Sequence, residues 1–185
     1  MAAMRTRTIV TGATSGIGYE LATQLAIAGV HVIAIGRQPE RLEALTTLST
    51  RIEPVAADLT DRDAVLDLVG TLTARYDDID GLINNAGVQH DRRFDDGTYG
   101  PAEIQEELAV NLTAPLLLAH ALLPVLRRQP SATIVNVTSG LGYVPKRTAA
   151  VYSASKAGLR LFTDALRVQT RGTPVRVVEA VMPRV

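Results

Sequence analysis

Short runs of β-branched and apolar residues alternate with longer stretches of helical periodicity along the whole chain. The apolar runs stand near 7–11, 30–35, 51–56, 80–84, 132–138 and 175–181. Each is nearly continuous rather than alternating, which predicts strands buried on both faces. Between them the pattern predicts helices near 16–28, 39–48, 61–75, 101–127 and 150–170. In the first of these, Ile17, Leu21, Leu25 and Ala28 recur at helical spacing, and Gly29 sits where a C-cap belongs. Pro39 suits a first helical turn. Thr60 reads as an N-cap, with Asp61 and Asp63 in the turn behind it. Strand and helix in strict alternation predict an α/β fold with a doubly wound parallel sheet. The expected strand order is 3-2-1-4-5-6.

The segment 101–127 is apolar on almost every side. Leu108, Leu112, Leu116, Leu117, Leu118, Leu122, Leu123 and Leu126 go nearly all round it. A helix of that kind must be buried on every side. A membrane span is the first alternative, but Asn111, His120, Pro115 and Pro124 interrupt the run. The segment is therefore expected to lie in the core and, together with the helix near 150–170, against a second copy of the chain in a homodimer.

Composition narrows the class further. The 185 residues suggest one domain over 1–185, and 46% hydrophobic residues are ample for a core. The 19 basic and 19 acidic residues cancel, so no electrostatic case exists for nucleic acid. Cysteine is absent, which excludes disulfides and thiolate chemistry. Residues 1–7 hold no apolar targeting stretch, and a cytoplasmic location is expected. His31, His90 and His120 are scattered without metal-ligand spacing.

Three strand ends carry candidate chemistry. After the first strand comes Thr11-Gly12-Ala13-Thr14-Ser15-Gly16-Ile17-Gly18. Strand, glycine turn and helix start in that order make an anion site, because free N–H groups and the positive helix end converge there. The fourth strand ends in Asn84-Asn85-Ala86-Gly87, and the fifth in Asn136-Val137-Thr138-Ser139. Ligands of open parallel sheets bind beyond such carboxyl ends. Further on, Tyr152 and Lys156 stand four residues apart and share one helix face. A neighbouring ammonium favours the phenolate, so Lys156 is expected to lower the pKa of Tyr152 and fit it for proton transfer.

On these residues the chain resembles the short-chain dehydrogenase/reductase family, which has a Rossmann fold. The family's T-G-x-x-x-G-x-G motif matches Thr11, Gly12, Gly16 and Gly18, its N-N-A-G matches Asn84 to Gly87, and its Y-x-x-x-K matches Tyr152 and Lys156. The family's helix asparagine and fifth-strand serine match Asn111 and Ser139. The resemblance implies hydride transfer between a nicotinamide and a small-molecule carbonyl or alcohol. It makes Asn111, Ser139, Tyr152 and Lys156 the catalytic set, with Asn111 anchoring a water. It implies cofactor contacts from Thr11, Gly12, Thr14, Ser15, Gly16, Ile17, Gly18, Asp58, Leu59, Asn85, Ala86, Gly87, Tyr152, Lys156 and Pro183.

The choice of cofactor turns on the end of the second strand. NAD-binding units place an acid there for the ribose 2′-hydroxyl, whereas an arginine accommodates a 2′-phosphate. This chain has Arg37 and no carboxylate at the strand end, and NADP(H) is expected over NAD(H). The family continues past the sixth strand through a Pro-Gly, a substrate-covering loop, a helix and a seventh strand. Here Arg184 follows Pro183 and the sequence ends at Val185. A truncated family member is therefore expected, and a nucleotide-binding scaffold without turnover stays open as the alternative.

Overall fold

The structure is a computed structural model, and it describes residues 6–183. Six strands form one parallel sheet in the order β3-β2-β1-β4-β5-β6. They are β1 (Arg7–Thr11), β2 (His31–Gly36), β3 (Ile52–Ala56), β4 (Ile79–Asn84), β5 (Ala132–Ser139) and β6 (Val175–Met182). The helices are α1 (Gly16–Ile27), α2 (Pro39–Thr46), α3 (Arg62–Arg75), α4 (Pro101–Leu108), α5 (Ala114–Leu126) and α6 (Ala150–Gln169). Strand order and the alternation of strands and helices are those the apolar runs predict.

Successive strand residues point to opposite faces, and both faces of the central strands are covered, whereas the edge strands β3 and β6, expected to be buried on both faces, leave Pro54, Ala56, Arg176 and Val181 exposed. Ile9, Ile33, Leu82 and Ile134 enter one core with Val65, Val69, Leu118, Leu122 and Leu166 from α3, α5 and α6. Their neighbours Val10, Ala34 and Ile83 enter the other core with Ala22, Ala26, Leu42 and Leu45 from α1 and α2. Val10 lies in register with Ala34 on one side and Ile83 on the other, so the carboxyl ends of the central strands finish level.

Two local expectations are corrected. The N-cap of α3 is Asp61, whose side chain accepts from the Asp63 and Ala64 N–H groups. Thr60 instead donates both its N–H and its hydroxyl to Asp58 Oδ1, each at 2.9 Å. The predicted helix 101–127 is not continuous. A π-helical turn at Ala109–Thr113 separates α4 from α5. Pro115 explains the break, because it has no N–H for the carbonyl of Asn111 and its ring crowds that position. By length and composition Pro101–Leu126 could cross a membrane, with a mean hydropathy of 1.8 over its most apolar stretch. Leu118, Leu122 and Leu126 are nevertheless fully buried in the core of this fold.

Candidate active site

The loops after β1 and β4 are knotted together at the carboxyl edge of the sheet. Thr11 is buried, and its hydroxyl accepts from the Asn85 and Ala86 N–H groups at 3.0 Å each. The Asn85 side chain donates back to the Thr11 carbonyl at 3.0 Å. A Cβ on Gly18 would lie 2.2 Å from the Gly12 oxygen and 2.4 Å from Asn85 Nδ2. Gly18 is therefore required by contacts within the protein itself. Gly16 differs: its φ of +52° is left-handed, and nothing lies within 4 Å of its Cβ position. Behind this turn Ser15 begins α1 without a side-chain cap. The first N–H groups of α1 are left for an outside partner.

These loops wall a cleft of about 460 Å³, within the range of small-ligand sites. Gly12, Thr14, Ser15, Ile17, Arg37, Leu59, Asn85, Ala86, Gly87, Tyr152 and Lys156 line it. All of them were named from the sequence. Thr11, Gly16, Gly18, Asp58, Asn111, Ser139 and Pro183 do not line it, and several act from behind the wall. Asp58 is turned to Thr60, and that backbone bond chiefly holds its carboxyl below the usual range. Arg184 lies outside the described residues. The cleft also takes in Val88 and Gln89 from the loop after β4, and Arg41, Thr138 and Met182, of which sequence reasoning missed the last three. A second arginine two residues into α2 was the available signal for Arg41.

Helix α6 is fixed to the sheet by a buried polar chain. Asn84 donates to Asn136 and Asn136 to the Thr163 hydroxyl, each at 2.8 Å. That chain sets the height of Tyr152 and Lys156 above β5. Lys156 is 3% exposed, and its ammonium donates to the Val137 carbonyl at 2.9 Å. Burial pushes its pKa down to about 8. Its nitrogen lies 5.7 Å from the centre of the Tyr152 ring.

The expected lowering of the Tyr152 pKa is not what this geometry gives. Burial raises it, a hydrogen bond with Ser139 partly opposes the rise, and the charge of Glu107 adds to it. The ammonium is turned to a backbone carbonyl rather than to the phenol. Tyr152 stays protonated well beyond neutral pH, with Ser139 beside it.

Asn111 also has a structural task that its apolar surroundings concealed. It is fully buried, accepts from the Val88 N–H at 2.8 Å and donates to the Val88 carbonyl at 2.7 Å. Both of its ends are satisfied, so the amide is well explained as a clamp on the loop after β4. Gly87 stands between it and Lys156: a Cβ there would be 3.5 Å from Asn111 Oδ1 and 3.6 Å from Lys156 Nζ. Glu107, one turn before Asn111, is fully buried as well. It accepts from the His90 N–H and the Tyr99 hydroxyl.

Arg37 is not the uncapped cation that the sequence suggests. Its guanidinium meets Glu106 Oε1 at 3.2 Å, and Glu106 Oε2 meets His90 Nε2 at 2.9 Å. A carboxylate does stand beside Arg37, supplied by α4 across 69 residues of sequence.

Comparison with known proteins agrees with this geometry. Residues 6–185 match the family model for short chain dehydrogenases. An uncharacterized oxidoreductase of Bacillus subtilis, DltE, is 37% identical over 177 residues, covering 96% of this chain and 70% of that protein. A serine 3-dehydrogenase of Agrobacterium fabrum is 37% identical over 175 residues, covering 91% and 68%. A metagenomic short-chain oxidoreductase, solved in complex with NADP, superposes with a TM-score of 0.89 at 32% identity, covering 97% of this chain and 83% of that one. With the glycine loop, the strand order and the cleft in place, the chain belongs to the short-chain dehydrogenase family, oxidoreductases that act on CH–OH and C=O groups.

Proposed function

We propose that this chain is an NADP(H)-dependent oxidoreductase of a carbonyl or secondary alcohol, with Tyr152 as its proton carrier. One observation carries the reading: Tyr152 and Lys156 line the same cleft as the glycine loop. A proton donor and a nucleotide cradle thus face one space.

The residues present suit a dinucleotide. The open left-handed turn at Gly16 and the uncapped start of α1 suit the pyrophosphate. Arg37 and Arg41 stand at the cleft wall where a 2′-phosphate would need cations. The NADP complex of the metagenomic relative supports the same choice. When bound, the nicotinamide supplies or takes the hydride. Lys156 would hold the nicotinamide ribose, since it reaches the cleft from beneath.

The protein's own part is a proton at one oxygen. Tyr152 is protonated at neutral pH and can donate to a carbonyl oxygen as that oxygen gains charge. Ser139 orients the phenol and the incoming oxygen. In the oxidative direction Tyr152 must first lose its proton, and its raised pKa makes that form scarce near pH 7. Asn111 keeps Val88, and with it the loop wall, in place.

The test is a titration with NADPH and NADH, followed by a panel of carbonyl substrates, for the wild type and Tyr152→Phe. Turnover in the wild type and none in the variant, with cofactor binding kept in both, is the expected result. Cofactor binding without turnover in the wild type would make the chain a nucleotide-binding scaffold instead.

A further inference from the structure

The carboxylate beside Arg37 changes what that arginine can do. Glu106 is bound at both oxygens, Oε1 to Arg37 at 3.2 Å and Oε2 to His90 Nε2 at 2.9 Å. His90 is itself fixed, because its backbone N–H donates to the buried Glu107. The Glu106 side chain is 29% exposed and that of Arg37 53% exposed. The acid is thus the better held partner, and the arginine is the mobile one. A 2′-phosphate approaching Arg37 meets a guanidinium already paired, with a fixed negative charge next to it.

We infer that Glu106 is a specificity-determining residue, which competes with the 2′-phosphate for Arg37 and holds the preference for NADP(H) below what Arg37 alone would give. The inference rests on the proposed use of Arg37 as the phosphate cation. No strand-end acid is needed for it, since the carboxylate comes from α4. Charge decides which way the competition resolves. Phosphate offers Arg37 a doubly charged, multidentate partner, so the arginine swings to the phosphate and Glu106 keeps His90. An exposed pair of this kind is a weak restraint. Removing the nearby negative charge adds to the gain, so the expected effect is about three- to tenfold in affinity.

The experiment measures dissociation constants of 2′,5′-ADP and 5′-AMP by calorimetry, for the wild type, Glu106→Gln, Arg37→Ala and the double variant. The two probes differ by the 2′-phosphate, so substrate and nicotinamide play no part. Glu106→Gln is expected to tighten 2′,5′-ADP about three- to tenfold and to leave 5′-AMP unchanged. In the Arg37→Ala background the same change should lose that effect. A selective loss of 2′,5′-ADP in Arg37→Ala, with no gain in Glu106→Gln, would overturn the competition and leave Arg37 as the phosphate cation. Equal binding of both probes in the wild type and in Arg37→Ala would overturn both. Melting curves of the variants guard against misfolding, because a shifted loop after β4 would weaken both probes alike.

Discussion

Replacing Lys156 by methionine should abolish turnover and yet stabilise the protein. Lys156 is 3% exposed, and the only cause acting on its pKa is burial. Among the described residues no carboxylate pairs with it, so its charge is held at a cost. A fall from the ordinary 10.5 to about 8 corresponds, at about 1.4 kcal/mol per pH unit, to roughly 3 kcal/mol of destabilisation. Below about pH 8 the ammonium is charged in both folded and unfolded chains, and the whole cost is present. Between about 8 and 10.5 the folded lysine is neutral while the unfolded one still binds its proton, so the cost fades to nothing. Methionine matches the stem in shape but leaves the Val137 carbonyl without its donor, at about 1 kcal/mol. The net expectation at pH 7 is a gain of about 2 kcal/mol, or about 4–8 °C in Tm for a domain of this size. Thermal melts of the cofactor-free wild type and Lys156→Met from pH 7 to pH 10 would show the gain shrinking as pH rises. A variant less stable than the wild type at pH 7, or a gain that ignores pH, would refute the reasoning.

Four further outcomes are expected. Arg37→Ala should weaken NADPH by about tenfold and spare NADH, read from paired fluorescence titrations; equal affinities in the wild type would remove the basis for the preference. Because the Tyr152 pKa is raised, alcohol oxidation should climb with pH above neutrality while carbonyl reduction does not, and a flat oxidation profile from pH 7 to 9.5 would contradict this. Asn111→Ala leaves both Val88 backbone groups unpaired and should cost about 2–3 kcal/mol in denaturant unfolding; a change under about 0.5 kcal/mol would mean the clamp on Val88 is unimportant. Exposed Leu108, Leu161 and Val168 on α4 and α6 favour the dimer expected from the sequence, and a monomer by light scattering at high concentration would refute that pairing.

How much could be read from the chain depended on the distance over which each feature is decided. The strands were legible because a run such as Val32–Ile35 in β2 is buried on both faces, and burial on both faces leaves an uninterrupted apolar record. The glycine loop, Tyr152 and Lys156 were legible because their spacing is local. The break in the helix after Leu108 could have been argued from Pro115, but the turn it produces depends on Val88 meeting Asn111. Glu106 and Arg37 were illegible as a pair: 69 residues separate them, and only the packing of α4 brings them together. The direction of the Tyr152 pKa failed for the same reason. Spacing put an ammonium on the same helix face, but the competing carbonyl belongs to Val137 on β5.

The knot between Thr11, Gly12, Gly18 and Asn85 also bears on how the chain acquires its structure. β1 is a central strand, but its partner β4 begins only at Ile79. Until that strand is in place β1 has one open edge, carrying Ile9 and Val10, and the glycine loop has no Asn85 to close against. Parallel pairing across some 70 residues is slow because so much chain entropy must be lost first. The closed glycine loop is therefore among the later features to form, and a growing chain that stops short of β4 carries an exposed edge prone to aggregation.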